Sequence, residues 1–346
     1  MAPSTSESIL TRVRRSCAAQ VAHEDCAVAV NADKVRAFLD ELDWQQYADL
    51  AQPQRFPLNF KSLQDEINFL TLYSLLNFGS GFRKDLHKYC DRGAAETILF
   101  GLLGMYIDVP RLDAEFMAKI SIDVLANYFS LPLDRDEELS TGIYISKPGP
   151  LRPFAEMLHN VFTECGQKLQ EKNLEDFGAF VLANLHADGS DCSSAAFLVT
   201  QLVEAFPAFD DHQVSRGNEC FILKRAQLTV GELYRRFHET HPELDFEDIR
   251  ELTAFSDNVL PCVLRALGIL EYSSDLSMIV DSGEELQAGD WECDLRAAAI
   301  VACEQIVAES KGRVTTIELD YYLWRVGKDP RFRGLERHAT RNTFFY

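Results

Sequence analysis

Apolar residues recur at helical spacing through most of this chain and seldom at the period of two that a strand requires. The run from Asn31 to Leu42 places Val35, Phe38, Leu39 and Leu42 on one face, behind an asparagine able to cap the helix start. Leu63 to Leu76 repeats the pattern with Ile67, Leu70, Leu72 and the Leu75–Leu76 pair. Residues 94–107, 114–129, 154–172, 195–206, 224–238, 260–267, 295–310 and 317–326 read the same way. Strand candidates are short and isolated, at 142–146 (GIYIS) and 220–223 (CFIL). The expected class is therefore mostly α, a helical bundle with few short strands.

Prolines punctuate the helical segments, from Pro53 and Pro57 to Pro242 and Pro261, where each can stop a helix or open one. The best internal boundary is 131–153, an acidic run (DRDEE) followed by SKPGPLRP. Residues 1–30 are expected to form an N-terminal extension and first helix. Residues 31–346 are expected to form one helical catalytic domain, with lobes at about 31–150 and 151–346 and the pocket between them. Residues 271–294 hold eight acids and no base, and are expected to be a solvated loop or an exposed helix face.

Charge limits the partners. Lys and Arg total 34 against 54 Asp and Glu, a formal net charge of −20. Such a surface repels a phosphate backbone, which argues against duplex nucleic acid as a partner. A small basic pocket inside an acidic shell stays compatible with it. The longest charge-free apolar run, 97–107, is far short of the ~20 residues of a membrane span. MAPSTSES followed by ILTRVRRSC lacks the apolar core of a signal peptide. Nine cysteines form no CxxC pair, so they read as reduced thiols in a reducing compartment, the cytoplasm or the nucleus.

Several constellations invite chemical readings. His238 and His241 are three apart and followed by Pro242, whereas a zincin helix needs its histidines four apart; a polar helix end fits better. Residues 186–191 (HADGSD) lack the further carboxylates of a calcium loop and suit a turn capping a helix from Ser193 or Ser194. The loop 76–81 (LNFGSG) has two glycines but no phosphate-loop spacing, and His87 follows it. No metal or cofactor is expected. In 255–261 (FSDNVLP), Phe255 can stack on a planar base while Asp257 presents a carboxylate beside it; alternatively Asp257 caps the helix near Leu260. In 319–324 (LDYYLW), Asp320 sits among aromatics, either buried against a ligand's N–H donors or exposed on an amphipathic helix.

These segments carry a resemblance. The chain resembles the queuosine salvage protein family, the queuosine-5′-phosphate N-glycosylase/hydrolases. The likeness runs through PLNF (57–60), LNF (76–78), FVLANL, SSAAFLVTQLVEAFPAFDD, KRAQL (224–228), FSDNVLP, LRALGILEYS, LDYYLW and the terminal TRNTFFY. It covers 56–346, and the order of the motifs carries more weight than any one of them.

The resemblance implies a fold similar to the helix-hairpin-helix DNA glycosylases and release of the base queuine from a nucleoside 5′-phosphate. It implies that Phe255 stacks on the base beside Ser256, that Asp257 is the catalytic carboxylate, and that Asp320 and Tyr321 contact the base edge. From position alone, His87 after the glycine loop is a substrate-binding candidate, or else an ordinary surface or core histidine, and Lys224 and Arg225 are the candidates for the 5′-phosphate, or else a surface pair at a helix start. Two positions depart from the family pattern. LNFGSGF stands where many members have LNFSFW, and Arg325 stands where many have an acid. The alternatives are a non-catalytic nucleoside-binding helical protein and a DNA base-excision glycosylase, the latter disfavoured by the acidity.

Overall fold

The computed structural model describes residues 7–53, 56–186 and 193–346. The chain runs through α1 (Ile9–Val21), β1 (Val28–Val30), α2 (Ala32–Glu41), α3 (Trp44–Leu50), α4 (Leu63–Leu75) and α5 (Arg83–Cys90). It continues with α6 (Ala94–Asp108), α7 (Ala114–Lys119) and α8 (Ile122–Phe129), then a hairpin of β2 (Asp134–Ser140) and β3 (Ile143–Pro148). Next come α9 (Arg152–Glu171), α10 (Phe177–Ala183), α11 (Ala195–Ala205), a second hairpin of β4 (His212–Ser215) and β5 (Asn218–Phe221), α12 (Lys224–Phe237) and α13 (Val259–Ala266). β6 (Leu270–Tyr272), α14 (Ser274–Ser282), α15 (Asp290–Glu309), α16 (Thr316–Val326) and α17 (Pro330–Arg333) follow. The class is mostly α, as the periodicity predicts. The described strands pair two by two, β1 with β6, β2 with β3 and β4 with β5.

The chain divides into two compact units. The first comprises Met1–Leu58 and Asn184–Thr343. Its axis is α15, whose Ala297, Ala298, Ala299, Ala302 and Cys303 are fully buried. Small side chains at these positions let α1, α2, α13 and α16 pack directly on the helix. Leu39, Val263, Leu264, Leu319 and Leu323 supply the facing layer of the core. The β4–β5 hairpin closes on Arg216 and Gly217, with φ of 49° and 80°, a two-residue loop of the kind whose twist suits a hairpin. That turn aims the Arg216 guanidinium at Asp294 on α15, with both oxygens at 2.8 Å. Asp294 also accepts from Gln20 Nε2 at 2.6 Å and Ala27 N at 2.9 Å, tying α1 and the approach to β1 to the same carboxylate.

The second unit comprises Asn59–Ala183 and Phe344–Tyr346. Its central helix, α4, is buried from Ile67 to Leu75. Glycines set the close approaches around it. A Cβ on Gly178 would stand 2.1 Å from the Gln64 carbonyl oxygen, so α10 meets α4 backbone to backbone. Gly79, with φ of 100°, lies against the Phe154 ring and donates its N–H to Tyr346 O at 3.0 Å. Gly79 of the LNFGSG loop thus serves packing against Phe154, which stacks with Phe82.

Several local expectations need correction. The helical pattern over 114–129 breaks at Ile120–Ser121, where Ser121 Oγ caps α8 by accepting from Val124 N at 3.3 Å. The acidic run at 134–138 forms strand β2, exposed along its length. Over most of 271–294 the exposed-helix alternative holds, since α14 buries only Leu276 and Val280 and leaves Asp275 and Asp281 exposed; the correction is confined to the first turn of α15, where Glu292 and Asp294 are buried. His238 is the C-cap of α12, its Nδ1 2.8 Å from Tyr234 O. Ser194 caps α11, as one of the two serines was expected to do. Residues 187–191 of the acidic turn, and Cys192, lie outside the described residues; the eight described cysteines are free thiols.

Gly178→Ala is expected to cost more than about 2 kcal/mol, because the added methyl meets backbone that cannot rotate away. Chemical denaturation of the two proteins side by side measures it, and equal midpoints would contradict the close α4–α10 approach.

Candidate active site

Residues 253–260 form a segment whose backbone is bonded at almost every step. Thr253 N donates to Gln227 Oε1 at 2.8 Å, and Gln227 Nε2 donates to Thr253 Oγ1 at 2.9 Å, fastening the segment to α12. Phe255 N donates to Asp320 Oδ1 at 2.7 Å, fastening it to α16. The Ser256 carbonyl accepts from Arg296 Nε at 3.0 Å, fastening it to α15. Asn258 Nδ2 donates to His338 O at 3.1 Å. A segment held by four partners presents its side chains with little freedom, which is what a reacting group requires.

Asp257 follows directly. Its Oδ1 accepts from Val259 N at 2.6 Å and Leu260 N at 3.3 Å, so it does cap α13. Both bonds use one oxygen; Oδ2 takes no hydrogen bond among the described residues. Capping and a role toward a ligand are thus compatible in one carboxylate. Asp257 is 6% exposed and Asp320, one α16 turn inside the same cluster, is also 6% exposed. The exposed-helix reading of Asp320 is therefore wrong: the side chain is buried and holds the Phe255 amide. Burial, and then the charge of Asp257, push its carboxyl up to about 7, against the Phe255 N–H and the Lys224 and Arg235 charges.

Lys224 begins α12 and is 3% exposed; Arg225 is fully buried and donates to the Ala208 carbonyl. Neither belongs to a surface pair. Desolvation lowers the Lys224 ammonium to about 8, opposed mainly by the charge of Asp257 and aided by Arg296 and Arg225. Lys224, Asp257 and Asp320 thus form one electrostatically coupled set in the first unit. Phe255 is 2% exposed, and a Cβ on Gly231 would stand 2.8 Å from its Cζ, so the ring lies against α12 at a residue with no side chain. Tyr321 carries the Arg235 guanidinium 3.6 Å from its ring centroid. Ser256 Oγ, Asn258 Oδ1 and Tyr321 Oη are buried and take no hydrogen bond among the described residues. Buried polar atoms rarely stay without partners, so these are the atoms a polar ligand would engage. His87 belongs to the second unit, on α5, with its ring facing Gly93.

Sequence reasoning missed Glu232, Arg235, Asp211 and Arg296, and gave Arg325 no structural role. Glu232 is buried, takes no hydrogen bond among the described residues, and is pushed up to about 7 by burial against the charges of Arg235 and Arg325. Arg235 Nη2 and Arg325 Nη1 donate to the carbonyls of Ala51 and Leu50, at 2.5 and 2.6 Å, at the end of α3. Asp211 and Arg296 form a buried forked pair at 2.9 and 2.6 Å. The one available signal for Arg296 was a lone cation in an alanine-rich helix, which has to be paired if that helix is buried.

Comparison with known proteins gives the family of the chain. The family profile described as "Queuosine salvage protein" matches residues 59–346. A Bos taurus protein named queuosine 5′-phosphate N-glycosylase/hydrolase is 30% identical over 293 residues, 81% of each chain. A Sphaerobacter thermophilus protein of the same name is 31% identical over 241 residues, 68% of this chain and 67% of its own. A Schizosaccharomyces pombe protein, also so named, is 29% identical over 243 residues, 65% of this chain and 68% of its own. A match running from Asn59 to Tyr346 takes in every segment that builds the buried carboxylate cluster, and on it the chain belongs to the queuosine salvage protein family.

Proposed function

We propose that this protein hydrolyses the N-glycosidic bond of queuosine 5′-phosphate, with Asp257 as the catalytic carboxylate. The observation that carries the assignment of roles is the buried set Asp257, Asp320 and Lys224, locked by backbone bonds on three helices. The relatives bearing the name of that activity support the substrate.

The chemistry follows from the bond. As the C–N bond breaks, positive charge builds on the ribose ring oxygen and the anomeric carbon. The Asp257 carboxylate, rigid and partly dehydrated, stabilises that charge more than a carboxylate in water would. Water supplies the new C–O bond, and the departing base takes the electron pair of the old one and a proton. A 7-deazaguanine has carbon in place of N7, so the leaving base needs help elsewhere. Asp320 accepts from the N1–H and N2–H₂ edge of the base, and Lys224, an ammonium held near 8, offsets the charge developing on it. Burial of Lys224 within the fields of Asp257 and Asp320 favours this end of the substrate over a surface phosphate clamp. Phe255 and Tyr321 flank the base, with Ser256 Oγ available to a polar group.

Purified protein incubated with queuosine 5′-phosphate is expected to release queuine and ribose 5-phosphate, read by chromatography, with the free nucleoside as comparison. Tight binding of the base without release would overturn the assignment. Asp257→Asn retains an oxygen for the helix cap, so the thermal midpoint is expected to hold within a few degrees while kcat drops on the order of 10³-fold.

The pH profile provides a second check. Asp320 has to be ionised to accept from the base, and its carboxyl is raised to about 7, so kcat/KM rises as pH rises through that value. Lys224 has to keep its proton, and it is lowered to about 8, so kcat/KM falls above it. A narrow bell between about 7 and 8 is expected, and Asp320→Asn should abolish its acid limb. A flat profile from pH 6 to 9 would remove both residues from the reaction.

A further inference from the structure

We propose that Arg296, acting with Asp211, is a positioning residue that sets the geometry of Lys224 relative to Asp257. The claim rests on the hydrolase reading of this site and extends it to residues that do not touch the cluster's reacting end.

Helix α12 cannot cap itself. The residue preceding α12 is Leu223, held at φ 52°, with an aliphatic side chain that accepts no hydrogen bond. Asp211 does the capping from a distance in sequence. Its main-chain carbonyl accepts from Ile222 N and Leu223 N, both at 3.0 Å, and its Oδ2 accepts from Lys224 N at 3.1 Å. Three successive amides leading into Lys224 therefore hang on one residue.

Asp211 is in turn held by Arg296, through Nη1 to Oδ1 at 2.9 Å and Nη2 to Oδ2 at 2.6 Å. The third edge of the same planar guanidinium, Nε, donates to the Ser256 carbonyl at 3.0 Å. That carbonyl belongs to the peptide plane leading into Asp257. One rigid group thus touches the anchor of Lys224 on one side and the backbone of Asp257 on the other. Glu292 Oε1 at 3.2 Å steadies it further, and Glu292 itself is held by Gln213 Nε2 at 2.5 Å. Arg296 and Asp211 are each 2% exposed, so no solvent competes for these bonds. A lysine in place of Arg296 would keep the charge but lose the fork that spans both partners.

The charged groups acting on Lys224 are Asp257 from the 253–260 segment, Asp320 from α16, Arg225 from its own helix, and Arg296 from α15. Arg296 opposes protonation of Lys224, so neutralising it should move the Lys224 titration upward.

Three variants separate positioning from support of the fold. Arg296→Lys is expected to lower kcat about 100-fold with KM within about threefold, since orientation and not affinity is lost. Asp294→Asn is the matched control: it breaks another buried ion pair on the same helix, with Arg216, and should lower the thermal midpoint while leaving kcat/KM within about twofold. Arg296→Gln, followed by ¹⁵N NMR of lysine-labelled protein, should raise the Lys224 Nζ midpoint above its value of about 8. Wild-type kinetics in Arg296→Lys, or a loss of kcat in Asp294→Asn equal to that in Arg296→Lys, overturns the proposal. An unmoved Lys224 midpoint does so too. If the wild-type protein releases no base, the hydrolase reading fails on its own, and the lysine titration still decides whether Arg296 governs Lys224.

Discussion

The buried contact between Arg296 and Asp211 is the constraint on which the arrangement of the carboxylate cluster depends. Removing a guanidinium and a carboxylate from water is costly, and their attraction offsets that cost only when the geometry is good and the remaining donors are used. Here both conditions hold: the pair is forked, and the third donor edge is taken by a backbone carbonyl. What the pair contributes is registry. Through Asp211 it joins α15 to the head of α12, and through the Ser256 carbonyl to the 253–260 segment.

The same low-dielectric surroundings explain why Asp320, Glu232 and Lys224 all depart from their ordinary ionisation in the direction of neutrality. For the two carboxyls the native state holds its proton more tightly than the unfolded chain does. Their contribution to stability is therefore present in acid and is lost as pH rises toward about 7. An apolar core at these positions would fold more stably and would have no carboxylate to offer a substrate. Shifts of this kind, gathered in one buried cluster, are what the proposed site of hydrolysis requires.

How much of this was legible in the sequence depended on whether the governing contact was local. Helices with an apolar stripe, such as α2 and α9, are legible because burial of one face dictates their spacing. The head of α15 is not, because Glu292 and Asp294 look like solvated acids until Arg296 and Arg216 are brought to them from elsewhere in the chain. The break between α7 and α8 hides because Ile120 and Ile122 continue the apolar pattern across the capping Ser121. Phe255, Asp257 and Asp320 stand out as aromatics and acids crowded into short motifs, whereas Asp211 sits in an unremarkable acidic turn. Its role exists only through partners 85 residues away and through the amides of a turn it does not belong to.

The division of the chain has a consequence for its synthesis. The first unit is built from two stretches, and α1 and β1 find their partners on α15 and β6 only after the intervening residues have been made. At ribosomal rates of about 5–20 residues per second, a strand at Val28 waits roughly 12–50 s for Tyr272 to emerge. The second unit waits as well, since Gly79 bonds to Tyr346. During that interval the amphipathic faces of α1 and α2 have no core of their own unit to join.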